Sequence, residues 1–201
     1  MCCRYWVEES SELRPIVEEM DRSPLVKKWL KTAGIVRSGE VRPADIVPVL
    51  APNKKGEPAI YPMRWGFREK SLIINARSES AAVKPTFKDA WASHRCIAPA
   101  SWYYEWEHLI DNDGKKHTGR KYIIQPKGET VAWLCGLYRI EEGLPVFVVL
   151  TREAGGGIRS IHDRMPLILP ERLVGEWIRP GSKPEELLGE ALTEMVCEES
   201  Q

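Results

Sequence analysis

The sequence has no run of eighteen apolar residues and no signal-peptide pattern. Nothing in it is long enough for a membrane-spanning helix, and a soluble, cytoplasmic protein is expected. It has no C-x-x-C pair and only four histidines, so no zinc-finger pattern can be drawn, and neither a metal nor a cofactor is expected. It has no excess charge of either sign, with 29 basic and 29 acidic residues. Bulk charge therefore does not mark a nucleic-acid binder, and any phosphate site has to be a local arginine cluster. The five cysteines are odd in number and scattered, and Cys96 and Cys135 lie inside apolar runs. They read as reduced core residues and not as a disulfide framework. No internal repeat or linker divides the chain, so residues 1–201 are expected to form a single domain, with a monomer as the default.

What is present is strand-rich in the middle. The runs 72–76, 95–100, 101–107, 121–126, 131–138, 145–151 and 166–169 are short, β-branched or aromatic, and bounded by turn residues. Asp111 to Lys116, DNDGKK, predicts an Asp-Gly hairpin turn between two of them. Helices are predicted towards the ends. One starts at Ser23 and Pro24 and stops before Gly34, and another spans 172–178. A third, acidic and amphipathic, is predicted over 182–198 from a Ser182–Glu185 capping box and an apolar stripe through Leu187, Leu188, Ala191, Leu192, Met195 and Val196. The fold class is α+β, with a mainly antiparallel, barrel-like sheet system and peripheral helices.

Four short stretches carry side chains with chemistry. The chain begins MCCR. Removal of Met1 exposes Cys2 with an α-amine and a thiol on adjacent carbons, with ordinary pKa values near 8 and 8.5. Cys2 is then a simple nucleophile towards an ester or amide. Towards an aldehyde it forms an imine, on which the sulfur closes to give a five-membered thiazolidine. The alternative is a disordered terminus that happens to hold cysteine. In SWYYEWE, a strand puts Trp102, Tyr104 and Trp106 on one face and Tyr103, Glu105 and Glu107 on the other. Glu105 is either a general acid or base with a raised pKa, or a water-facing carboxylate. In SIHDRMP, His162 suits a proton shuttle and Arg164 an anion. The same residues also suit a structural turn. In INARSES, Asn75 and Arg77 share one side of an extended segment. They suit an anionic or carbonyl-bearing ligand, or a buried amide that satisfies loop backbone.

Taken together, MCCR at 1–4, RWGF at 64–67, INARSE at 74–79, WYYEW at 102–106 and SIHDRMPLIL at 160–169 resemble the SOS response-associated peptidase (SRAP) family. The resemblance is strongest over 1–180. It implies that Cys2 is the nucleophile that captures the ring-opened aldehyde of an abasic site in single-stranded DNA. It implies that Asn75 orients the amine and the sugar, that Glu105 transfers protons, and that His162 assists ring opening and release. Arg4, Arg77 and Arg164 match positions that hold DNA phosphates, and Trp106 is the aromatic DNA contact. The family name also implies an autoproteolytic, cysteine-type peptidase activity. Two other functions fit the same residues: a cysteine peptidase acting on protein, and a single-stranded DNA-binding module that has lost its chemistry. The chain departs from the family pattern in four places. Cys3 replaces a glycine, and EVRP at 40–43 replaces Asn-Val-Ala-Pro. Phe67 to Ile73 is short, and a closing Val-Ser-x-x-Val-Asn segment is missing.

Overall fold

The computed structural model describes residues 2–30, 34–111 and 113–200. Five strands form a closed ring. Leu144–Glu153 pairs with Pro58–Trp65, which pairs with Ile46–Pro52. Arg95–Ala100 and Ala132–Glu141 follow, and the last returns to Leu144–Glu153. The ladders of this ring are antiparallel except where Leu144–Glu153 meets Pro58–Trp65. The short Asn75–Arg77 strand adds to Leu144–Glu153 in parallel and brings the INARSE motif onto the barrel wall. The α+β, barrel-like architecture expected from the sequence is what forms.

The barrel strands read as unbroken apolar runs because both of their faces are covered. All six residues of Arg95–Ala100 are buried, as are Val146, Phe147, Val148 and Val149. Gly136 sets how closely two staves approach. A β-carbon there would stand 2.7 Å from the Val148 carbonyl oxygen and 3.0 Å from Cys96 Sγ, so any side chain would force the wall apart. The buried Arg95 fastens the helical flank to this wall. Its Nε donates to Trp177 O at 2.7 Å, Nη1 to Trp91 O at 2.7 Å, and Nη2 to Arg179 O and Ser182 Oγ, both at 2.8 Å.

A second sheet is wholly antiparallel, in the order Met195–Glu199, Lys116–Pro126, Trp102–Ile110, Arg4–Val7, Gly39–Val41. The chain passes from the barrel to this sheet at Ser101, whose N–H donates to Trp6 O at 2.8 Å and whose hydroxyl accepts from Glu8 N at 2.9 Å. One continuous stretch, 95–110, thus joins barrel to sheet and carries Glu105 to their junction. The predicted hairpin forms around Asp111, whose Oδ1 accepts from Asp113 N and Lys115 N; Asn112 lies outside the described residues.

The end of the chain corrects the sequence reading. The amphipathic helix predicted over 182–198 is a single helical turn, Pro184–Leu187, followed by a 3-10 turn, Leu188–Glu190, and a strand, Met195–Glu199. Two causes act together. The Ser182 hydroxyl that would have capped the helix accepts from Arg95 instead, and Gly189 lies mid-helix, where glycine costs about 1 kcal/mol. The Lys116–Pro126 strand offers an open edge, which Met195–Glu199 pairs with over five residues. At the other end, the helix predicted between Ser23 and Gly34 spans Leu25–Trp29, with residues 31–33 outside the described set. A helix at Arg14–Arg22 precedes it, unanticipated from sequence.

Arg95→Ala should lower the free energy of unfolding by at least about 3 kcal/mol, because it leaves several buried carbonyls without donors. Urea titration followed by tryptophan fluorescence measures this; a loss below about 1 kcal/mol would contradict the role assigned to Arg95.

Candidate active site

Residue 2 is held inside the molecule. The strand Arg4–Val7 is wedged between Gly39–Val41 and Trp102–Ile110, with Arg4 opposite Tyr104 and Tyr5 opposite Tyr103. This carries the preceding Cys2 into the barrel–sheet junction, where it is completely buried. From the barrel side, Asn75 Nδ2 donates to the Cys2 carbonyl at 2.7 Å. Asn75 Oδ1 is also buried, and among the described residues it has no hydrogen-bond partner. Cys2 Sγ lies 3.6 Å from Arg4 O. Burial, reinforced by the charge of Glu105, pushes the Cys2 thiol well above its ordinary value. Cys3, the family departure beside it, is half-buried, and its thiol is also raised by burial.

Glu105 is 2% exposed and His162 5%, so Glu105 is not the water-facing carboxylate that the sequence allowed. Burial raises the Glu105 carboxyl above its usual range. His162 sits just after the Gly156–Ser160 turn, which docks on the sheet through His108 N–H to Ile161 O at 3.3 Å. Its Nδ1 accepts the Arg164 N–H at 2.9 Å and lies 2.8 Å from Asp163 Oδ1. Burial, with help from neighbouring positive charge, lowers it to about 4. The two meet: possible ligand atoms of Glu105, His108 and His162 all lie within 4.8 Å of one another. Asn75 bonds Cys2, the charge of Glu105 acts on the Cys2 thiol, and Glu105 meets His162, so four distant segments converge, with the thiol and the imidazole uncharged at neutral pH.

The four candidate DNA contacts are placed less uniformly. Arg77 is exposed at the barrel rim. Arg164 is clamped by Glu79, with both distances 2.8 Å, and also donates to Thr151 O. Hydrogen bonds from Arg164 hold Glu79 below its usual range. Arg4 Nη1 donates to Glu40 Oε1 at 2.7 Å. Trp106 is half-buried, with Lys121 Nζ 5.7 Å from its ring centre and 3.8 Å from that of Tyr104. Glu40 gathers three cations: Arg4, Arg42 Nε at 2.8 Å and Lys121 Nζ at 3.7 Å. Burial opposes its ionisation, yet the arginine hydrogen bonds outweigh burial and keep it below its usual range.

Sequence reasoning missed Glu40, Glu79, Lys121 and His108 as neighbours of the site. For Glu40 a signal existed, since EVRP puts a carboxylate where the family pattern has an amide. For His108 the strand period hid it. A regular strand sends residues three apart to opposite faces, but Gly119 and Arg120 bulge opposite Glu107 and add twist between Glu105 and His108.

Iodoacetamide at neutral pH should alkylate Cys2 more slowly than Cys3, because Cys2 is completely buried and its thiol is raised further by that burial. Fragment-ion mass spectrometry of the native protein reads this; equal rates before urea is added would contradict the burial of Cys2.

Among known proteins, the chain is 28% identical over 193 residues to the abasic site processing protein YoqW of Bacillus subtilis, covering 90% of this chain and 81% of that one. It is 30% identical over 143 residues to the abasic site processing protein YedK of Escherichia coli, covering 68% and 60%. A phage-related protein from Bordetella bronchiseptica has the same fold, with a TM-score of 0.74 at 22% identity and coverage of 100% and 94%. The pattern of the SOS response associated peptidase (SRAP) family matches residues 1–200. The chain belongs to that family.

Proposed function

We propose that this protein captures abasic sites in single-stranded DNA through a covalent bond to Cys2. The observation that carries this reading is the burial of Cys2 beside Asn75, with Glu105 and His162 in the same pocket. The naming of relatives as abasic site processing proteins supports it.

The chemistry begins with hydrolysis of the Met1–Cys2 peptide bond, by a methionine aminopeptidase or by the protein itself. The freed amine adds to the aldehyde carbon of the opened sugar, and the carbinolamine loses water to give an imine. The thiol then adds across the C=N bond: a C–S bond forms, and the sulfur's proton ends on nitrogen. The balance is aldehyde plus cysteine giving thiazolidine plus water. A carboxyl raised by burial, Glu105, suits the proton delivered to the departing hydroxyl. A neutral His162 suits the proton taken from a thiol that burial keeps protonated. Asn75 fixes the Cys2 main chain, and its second amide atom remains to accept from the amine or the sugar.

A peptidase acting on other proteins is less well supported, because such an enzyme needs an activated thiolate, and Cys2 is shifted the other way. The strand-facing cations Arg4 and Lys121, with Tyr104 and Trp106 beside them, suit a DNA strand that stacks and ion-pairs along the sheet face.

Protein with a free Cys2 amine, incubated with uracil-glycosylase-treated single-stranded DNA, should give a heat-stable adduct on denaturing gels. Cys2→Ala should give none, and Glu105→Gln should slow formation by about 10²–10⁴-fold. Absence of an adduct with the parent protein overturns the reading. Glu40→Gln should tighten binding to undamaged single-stranded DNA and steepen its salt dependence by about 0.7 for each additional phosphate neutralised, measured by fluorescence anisotropy. An unchanged slope would mean that Glu40 does not compete with phosphate.

A further inference from the structure

The capture chemistry leaves one member of the pocket unused. His108 stands at the mouth, exposed, with its ring centre 4.2 Å from that of buried His162 at an interplanar angle of 61°. Glu105 completes a three-residue set whose ligand atoms lie within 4.8 Å of each other. Two imidazoles and one carboxylate are a donor set that borderline transition-metal ions bind, zinc above all, with a fourth position left open. Ligand atoms about 2.0–2.1 Å from a tetrahedral zinc stand roughly 3.4 Å apart, so side-chain adjustment alone can close the set.

The surroundings favour the same use. His162 Nδ1 faces its own loop, 2.8 Å from Asp163 Oδ1. Nδ1 also accepts the Arg164 N–H at 2.9 Å, so for Nε2 to present its lone pair to a metal the ring proton must move to Nδ1, towards Asp163 and in place of the Arg164 contact. A carboxylate behind a ligating histidine is the usual outer partner in such sites. Glu105 and His162 are anchored by the sheet and by the docked loop, and the exposed His108 gives an ion a way in from solvent. A metal site here would depart from the expectation from the sequence, where the lack of clustered cysteines pointed away from metal.

We propose that Glu105, His108 and His162 form a zinc-type metal site with an open fourth position, and that an ion bound there excludes DNA capture. The second half rests on the capture reading above. Capture needs the proton-carrying oxygen of Glu105 and the imidazole lone pair of His162, and a metal occupies both.

The test uses the full chain, stripped with EDTA and then dialysed. Zinc(II) binding is followed by calorimetry, and cobalt(II) binding by its visible d–d bands, with no DNA present. One ion per chain is expected, with His108→Ala weakening binding by at least about tenfold. No binding, or equal binding by His108→Ala, overturns the site. Capture is then assayed on metal-free protein and on protein loaded with one equivalent of zinc. Capture only by the metal-free form supports exclusion, and equal capture by both overturns it. If the metal-free parent binds zinc but captures no DNA, the site stands, while the capture reading falls and the exclusion with it.

Discussion

At the start of the chain, a single side-chain amide ties the outer sheet to the barrel. Asn75 belongs to a short strand on the barrel wall, and the carbonyl it bonds belongs to the residue that enters the outer sheet. Chain termini normally fray, because ordering them costs about 1–2 kcal/mol per residue with few contacts in return. Here the strand Arg4–Val7 is inserted between two others, so its ladder bonds and buried Tyr5 and Val7 meet that cost. The amide then sets where Cys2 stops. Everything chemical about the site follows from holding the start of the chain still and out of water.

Burial of that point sets protonation states in a consistent direction. It raises Cys2 and Glu105 and lowers His162, so in each case desolvation favours the uncharged form. A carboxyl that holds its proton longer stands within reach of an imidazole that releases it sooner.

Charge outside the pocket is arranged in opposition. Arg4 and Arg164, two of the candidate DNA contacts, each face a carboxylate at hydrogen-bond distance. Glu79 and Glu40 hold the guanidinium groups in place while they reduce the local positive potential. This matches a chain of zero formal net charge. On the proposed reading, affinity for undamaged strands stays modest, and a covalent bond, not the ionic contacts, decides what is retained.

The sequence by itself determined the strand-rich middle, the Asp111 turn and the chemical identity of the pocket. Period-two patterning and turn residues are local properties, and a set of motifs in fixed order is readable without coordinates. It did not determine the end of the chain, where the stripe from Leu187 to Val196 has helical spacing. There the open edge of Lys116–Pro126 and the capture of Ser182 by Arg95 chose strand over helix. Nor did it reveal Glu40 among three cations or His108 beside His162. Both depend on register and on a bulge, which are relations between strands. Side-chain type is written in the chain; which charges neutralise each other, and which imidazole meets which carboxylate, exists only once distant segments are packed at separations of about 3 Å, where desolvation and hydrogen bonding act.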